Sequence, residues 1–127
     1  MKRTGAKLLI VDDEEIVRLN LRAYLEDQGY AAAVCASGEE ALIRMKDERF
    51  ALCIVDMRLP GMDGNAFIAK AHVLDPSMRY VIHTGSATYV LPETLAAMGI
   101  GAGDILKKPL VDLGIVAKTV ERLLSTP

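Results

Sequence analysis

The chain has no tryptophan, two phenylalanines, four tyrosines and only two cysteines among 127 residues. So few cysteines exclude a disulfide-stapled scaffold, and Cys35 and Cys53 lack the CxxC or finger spacing of a redox or zinc site. Both stand in apolar segments and read as core residues. Positive charge is not in excess: 15 Lys+Arg against 17 Asp+Glu leave a formal net charge of −2. No basic field is therefore available for a phosphate backbone or an anionic lipid surface, and direct nucleic-acid binding is not expected. Mean hydropathy is +0.23, yet no apolar run approaches the ~18 residues of a membrane span. The apolar surplus is expected to be internal. Residues 1–7, MKRTGAK, lead straight into a strand-like segment rather than a signal-peptide core and cleavage site, so a cytoplasmic location is expected. With 51% hydrophobic and 25% charged residues, disorder is excluded as well.

The length fits one domain, residues 1–127 with a core of about 7–124. Area scaling gives roughly 6,600 Å² of folded surface against about 20,000 Å² unfolded, enough burial to fold without staples. Period and punctuation then alternate along the chain. Lys7-Leu8-Leu9-Ile10-Val11 is a short continuous apolar run that stops at Asp12-Asp13, as a strand buried on both faces would. From Glu14 the spacing is helical, with Ile16, Leu19, Ala23 and Leu25 on one side and Gly29 as the stop. Residues 30–36 form a second apolar run. Ser37 with Glu40 makes a capping box for a helix that carries Ala41, Leu42 and Met45 to about Glu48.

The third run, residues 50–55, also ends on an aspartate, Asp56. The turn-rich segment Leu59-Pro60-Gly61-Met62-Asp63-Gly64 leads into a helix over 65–74, closed by Asp75-Pro76. Residues 79–83 are a fourth strand, and Pro92 opens a helix to about Gly99. Ile105 and Leu106 belong to a short fifth strand, and Leu113, Val116, Val120 and Leu123 mark a last helix. Five strand-helix units imply an α/β fold with a parallel sheet, helices on both faces and right-handed crossovers.

In such a sheet, ligands sit at the carboxyl ends of the strands. Asp12 and Asp13 follow the first strand, Asp56 the third, Thr84 ends the fourth, and Lys108 follows the fifth just before Pro109. Converging carboxylates repel one another unless a cation joins them. Mg²⁺ suits a few carboxylates with open positions for water and a phosphoryl oxygen, whereas Ca²⁺ would want more oxygen ligands. An ammonium and a hydroxyl beside them complete a set suited to phosphoryl transfer, with Asp56 as nucleophile. Taken singly, an Asp-Asp pair is a common helix cap and Lys-Pro a common loop. The weight lies in their convergence.

The segments Leu8-Leu9-Ile10-Val11-Asp12-Asp13-Glu14, Ile54-Val55-Asp56-Met57-Arg58-Leu59-Pro60-Gly61-Met62-Asp63-Gly64, Thr84-Gly85 and Gly101-Ala102-Gly103-Asp104-Ile105-Leu106-Lys107-Lys108-Pro109 resemble the receiver domain of two-component response regulators. The resemblance implies a flavodoxin-like (βα)5 three-layer sandwich with strand order 2-1-3-4-5. It implies Asp56 as phosphoacceptor, fed by a sensor histidine kinase or a histidine phosphotransfer protein. Mg²⁺ would be held by Asp12, Asp13, Asp56 and the backbone carbonyl of Arg58, while Thr84 and Lys108 grip the phosphoryl oxygens and Thr84 moves as the switch. A face made by the fourth helix, fifth strand and fifth helix would then meet a downstream protein, a fused effector domain or a second copy. The domain would assist its own aspartyl phosphorylation and dephosphorylation without being an enzyme in the turnover sense. With strand one between strands two and three, Cys35 and Cys53 would lie about 9.6 Å apart, beyond the reach of a disulfide.

Ile105 departs from the family pattern, which places an aromatic residue there as part of the switch. Output is then expected to rely on the fourth-helix backbone or on dimerisation. Arg58 either pairs near the phosphoryl group or faces solvent. His83 should point away from the Thr84 side and pack, His72 should lie on the surface, and Met57, Met62 and Met98 should fill gaps. An aspartate-nucleophile phosphohydrolase would need a second Asp two residues after Asp56, where Arg58 stands. A receiver that binds partners without phosphorylation would not need the full set of Asp12, Asp13, Asp56, Thr84 and Lys108.

Overall fold

A computed structural model describes residues 6–110 and 112–125. In chain order the elements are β1 (Lys7–Val11), α1 (Glu15–Asp27), β2 (Ala31–Cys35), α2 (Gly38–Met45), β3 (Leu52–Val55), α3 (Gly64–Leu74), β4 (Arg79–Thr84), α4 (Glu93–Ala96), β5 (Ile105–Lys107) and α5 (Gly114–Ser125). The five strands form one parallel sheet of order β2-β1-β3-β4-β5, the flavodoxin-like arrangement that the resemblance implied. Accessible surface is 6726 Å², close to the roughly 6,600 Å² that scaling gives.

Because side chains alternate across a strand, the apolar runs split between two layers. Leu9, Val11, Cys53, Val55 and Ile82 face α2, α3 and α4, where Phe67, Ile68 and Leu95 close the core. Leu8, Ile10, Leu52, Ile54, Val81 and Leu106 face α1 and α5, against Leu21, Leu25, Val116 and Val120. Met57, Met62 and Met98 pack against the first of these layers, as gap fillers do. Cys35 pairs in register with Val11, and Cys53 with Leu9, so β1 lies between the two buried free thiols. Among the described residues no helix is long and apolar enough to cross a membrane.

Four expectations need correction. The packed side of α1 is Val17, Leu21, Tyr24 and Leu25, not Ile16, Leu19 and Ala23. Ile16 is 72% exposed and Leu19 48%. The helix carries two apolar stripes, and the i, i+4, i+7, i+8 stripe lies against the sheet. Second, α4 spans four residues rather than reaching Gly99. The N–H groups of Met98 and Gly99 turn back to the carbonyls of Leu95 and Ala96, and Gly99 adopts φ +100°, which tightens and ends the helix. Third, Leu113 precedes α5, since the Asp112 carboxylate takes the Gly114 N–H at 2.8 Å and starts the helix there. Fourth, His72 is half-buried rather than on the surface.

The other boundaries move by one to three residues, the largest shift being the end of α2 at Met45 rather than about Glu48. Ser37 caps α2 by accepting the Glu40 N–H at 3.1 Å, and Glu40 reaches back to the N–H of Ala36 at 2.8 Å. Asp63 caps α3 in the same way, through the Ala66 N–H at 2.8 Å.

Candidate functional site

Three strands deliver the charged groups. β1 ends at Val11 and leaves Asp12 buried, with Asp13 exposed beside it. The Glu14 N–H donates to Asp12 Oδ1 at 2.9 Å, which fixes that carboxylate at the entry to α1. At the end of β3, the Asp56 N–H donates to the Val11 carbonyl at 2.9 Å, so this residue continues the sheet ladder and its side chain stands at the edge. The Arg58 N–H then donates to Asp56 Oδ1 at 3.1 Å. Carboxylate oxygens of Asp12, Asp13 and Asp56 all lie within 4.8 Å of one another.

Gly64 allows the loop after Asp56 to close against it. A Cβ there would stand 2.5 Å from the Asp56 carbonyl oxygen and 2.8 Å from Met57 Cα, both backbone atoms. Read from sequence, this glycine was only a turn former. It proves to be the seam between the phosphoacceptor candidate's strand and α3.

Lys108 enters from beyond β5. Its N–H donates to the Thr84 carbonyl at 2.8 Å, which ties it to the end of β4. Its Nζ lies 3.0 Å from Glu14 Oε1, 3.3 Å from Asp56 Oδ2 and 2.9 Å from Asp12 Oδ2. The approach to Asp12 Oδ2 is a charge contact without hydrogen-bond geometry, so that buried oxygen has no donor. Thr84 is fully buried, and its hydroxyl accepts the Ser86 N–H at 3.1 Å. The sequence-selected residues Asp12, Asp13, Asp56 and Lys108 thus share one acidic pocket, with Thr84 at its wall through the backbone of Lys108. Arg58 lines the same pocket through an exposed side chain. Ile105 is half-buried, in register with Ile82, and packs toward the α4 layer.

Glu14 was not singled out from sequence as a site residue, yet it is one of the three carboxylates on Lys108. Its only signal was position, third in the Asp12-Asp13-Glu14 run. Arg18, one turn into α1, donates to the Asp12 carbonyl at 2.8 Å and holds the same corner from outside.

Electrostatics follow from this crowding. Burial raises the pKa of Asp56 above its ordinary value, and the charge of Asp12 adds to the rise, while the Arg58 N–H and Lys108 oppose it. For Lys108, burial works against the charge, but the carboxylates of Asp12 and Glu14 outweigh it and hold the ammonium well above the usual lysine range. The Lys108 ammonium and the exposed Arg58 guanidinium against four carboxylates leave the pocket short of positive charge. With a donorless oxygen on Asp12 and three carboxylates within reach of a common point, the donor set fits a hard divalent cation.

A doubly wound parallel sheet with this carboxylate and lysine cluster at its carboxyl edge defines a phosphoryl-handling α/β domain. Comparison with known proteins makes that class specific. The family model for the response regulator receiver domain matches residues 8–120, and the chain belongs to that family. It is 36% identical over 103 residues to the alginate biosynthesis transcriptional regulatory protein AlgB of Pseudomonas aeruginosa, covering 81% of this chain and 22% of that protein. It is 32% identical over 125 residues to the transcriptional regulatory protein ZraR of Salmonella typhimurium, covering 98% of this chain and 28% of that protein. The chain therefore spans between a fifth and a third of the length of these relatives. Among solved structures, the Vibrio cholerae chemotaxis protein CheY4 superposes with a TM-score of 0.79 at 28% identity, covering 93% of this chain and 98% of that one. Receiver domains of response regulators are signalling modules that accept phosphoryl groups from histidine kinases.

Proposed function

We propose that Asp56 is the phosphoacceptor of a two-component phosphorelay. A carboxylate oxygen of Asp56 attacks the phosphorus of a phosphohistidine on a sensor kinase or phosphotransfer protein. The P–O bond to Asp56 forms, the P–N bond breaks, and its electron pair returns to the imidazole nitrogen. Asp12, Asp13 and Asp56, with the backbone carbonyl of Arg58, would hold Mg²⁺. The ion would neutralise the carboxylates and the equatorial phosphoryl oxygens, so that Asp56 stays ionised despite burial.

Lys108 already stands 3.3 Å from Asp56 Oδ2, and on phosphorylation it would trade that carboxylate for a phosphoryl oxygen. Thr84, whose hydroxyl is committed to Ser86, would turn to the same group as the switch. The same groups would assist the domain's own phosphorylation and, later, water attack on the phosphoaspartate. Without an aromatic residue at Ile105, the change would pass to a partner through the α4 backbone or through dimerisation on the α4, β5 and α5 face. The receiver core is taken as residues 7–124 of a single domain at 1–127, acting in the cytoplasm on a downstream protein or a fused effector domain.

The observation that carries this reading is the convergence of Asp12, Asp13 and Asp56 oxygens within 4.8 Å beside the Lys108 ammonium. Incubation with acetyl phosphate and Mg²⁺, followed by mass spectrometry, tests it. A gain of about 80 Da, the mass of HPO₃, is expected for the native chain and none for Asp56→Asn. No gain in the native chain would leave a receiver that binds partners without phosphorylation.

A further inference from the structure

Two acidic residues stand side by side in the first turn of α2 and serve different parts of the molecule. Glu40 reaches back to the Ala36 N–H at 2.8 Å and closes the cap of its own helix. Glu39 turns away from the helix: its Oε2 accepts the N–H of Met62 at 3.1 Å, 23 residues further on. Met62 lies in the loop between β3 and α3, which also carries Arg58, the residue whose backbone carbonyl the proposed Mg²⁺ site uses.

A glutamate in the first turn of a helix ordinarily does no more than favour the helix dipole. The loop shows why this one does more. Pro60 and Gly61, with φ +73° at Gly61, suit the second and third positions of a type II turn, whose fourth N–H normally returns to the first carbonyl. The fourth residue is Met62, and its N–H goes to Glu39 instead. The turn is thus closed by a side chain of α2. Gly61 makes room for it, since a Cβ there would stand 2.6 Å from Glu39 Oε2. The rest of the loop is held from below: Leu59 is buried in the core, the Arg58 N–H donates to Asp56 Oδ1 at 3.1 Å, and the Gly64 N–H returns to the Met57 carbonyl at 3.1 Å. Glu39 holds its apex.

We infer that Glu39 is a positioning residue for the Mg²⁺ site, which acts from outside the pocket by fixing, through the Met62 N–H, the loop that presents the Arg58 carbonyl. This role rests on the phosphoacceptor reading of Asp56 and adds a residue to it. Mg²⁺ demands near-ideal octahedral placement of its ligands. A backbone ligand on a loop already in place has less order to lose on binding, so the hold on the apex carries through to affinity for the cation.

Glu39→Ala and Glu39→Gln separate this role from a general effect of charge, because both remove the charge and only Gln keeps an oxygen that can accept the Met62 N–H. Titration of the ¹⁵N-labelled proteins with MgCl₂, followed at the amides of Asp13 and Asp56 in ¹H–¹⁵N spectra, reads affinity without any phosphoryl transfer. Half-saturation in Glu39→Ala should need at least about threefold more Mg²⁺ than in Glu39→Gln, a large share of the roughly fivefold that one net hydrogen bond is worth. Without metal, the Met62 amide should exchange with solvent about fivefold faster in Glu39→Ala than in Glu39→Gln. Saturable binding in the native chain with equal half-saturation in the two variants overturns the role of Glu39 and leaves the metal site standing. A lower urea midpoint in Glu39→Ala with unchanged Mg²⁺ affinity overturns it too, since the bond would then serve stability alone. No saturable shift in the native chain overturns the Mg²⁺ reading of the pocket, and the role of Glu39 with it.

Discussion

Two regions meet at the end of β4 and are built in opposite ways. On one side, Asp12, Asp56 and Lys108 are buried or nearly so and cross-braced by the contacts of Lys108 Nζ with three carboxylates. Backbone bonds reinforce them, from Asp56 to Val11 and from Lys108 to Thr84. On the other side, residues 85–104 carry a four-residue helix, a glycine at φ +100°, and an exposed Val90. A phenol group, Tyr89 Oη to Asn65 Oδ1 at 2.8 Å, ties that loop to the start of α3. Chemistry requires the first region to hold its geometry before the phosphoryl group arrives. A switch requires the second to have a low cost of rearrangement.

Asp56→Asn should break the contrast most completely, with phosphoryl incorporation from acetyl phosphate lost by mass spectrometry and the α4 side left untouched. Next in size is a pair of glycines. Gly64→Ala forces a Cβ to 2.5 Å from the Asp56 carbonyl oxygen, and backbone on backbone cannot yield cheaply. We expect a loss of about 3–4 kcal/mol in urea unfolding, from overpacking and displacement of the Asp56 strand end. Gly101→Ala meets nothing within 4 Å in an extended backbone of φ −126°. It should change stability by no more than about 0.5–1 kcal/mol, toward greater stability, by restricting the unfolded chain. Equal losses at the two positions would mean that the α4 side is packed as tightly as the site.

His83 sharpens the contrast through pH, because it is buried under the tightly built region. Its pKa falls from 6.5 to about 4 in the folded state, so the unfolded chain binds the proton more strongly. Stability is then fully present above pH 6.5 and is lost as pH falls toward 4. The loss at the acid limit is about 3 kcal/mol. Urea midpoints measured from pH 7 down to pH 4 should fall in the native chain and fall less in His83→Phe. Asp56 acts in the opposite sense, since its raised pKa makes the folded state the better proton binder and costs stability as pH rises through that value. Falls of equal size in the native chain and in His83→Phe would place His83 in contact with solvent.

How far each region was legible follows the same division. Asp12, Asp13 and Asp56 can be read from the chain because Leu8–Val11 and Leu52–Val55 are uninterrupted apolar runs that end abruptly at them, whereas β4 and β5 carry His83 and Lys107, so that Thr84 and Lys108 are legible only by their place at a strand end. The chemistry leaves few other residue types for those ends. Glu14 was passed over, since a third acidic residue at a helix start is also an ordinary favourable charge at an N-terminus. The face of α1 was misread because Ile16, Leu19 and Ala23 have helical spacing as good as that of Val17, Leu21, Tyr24 and Leu25. Only the sheet decides which stripe is covered. Gly99 is the natural stop signal in the sequence, but α4 ends before it because the N–H groups of Met98 and Gly99 already close three-residue turns.

The smallest expected effect tests the α4 side itself. Tyr89 is half-buried, packs on the α2–α3–α4 core layer, and donates to Asn65, the second residue of α3. Tyr89→Phe keeps the ring and removes only the hydrogen bond, a net of about 1 kcal/mol, or about fivefold in a local opening equilibrium. If residues 85–104 open independently of the sheet, amide hydrogen exchange should quicken about fivefold there and stay unchanged at Leu9, Ile54 and Val81, while the global urea midpoint barely moves. In a receiver that lacks the aromatic at Ile105, this phenol is the polar tie between the loop after Thr84 and the start of α3. The same amides should therefore change their exchange on phosphorylation with acetyl phosphate, and change less in Tyr89→Phe. Faster exchange throughout β1, β3 and β4 would show instead that the two regions open as one cooperative unit, and the division between a braced site and a loose output face would fail.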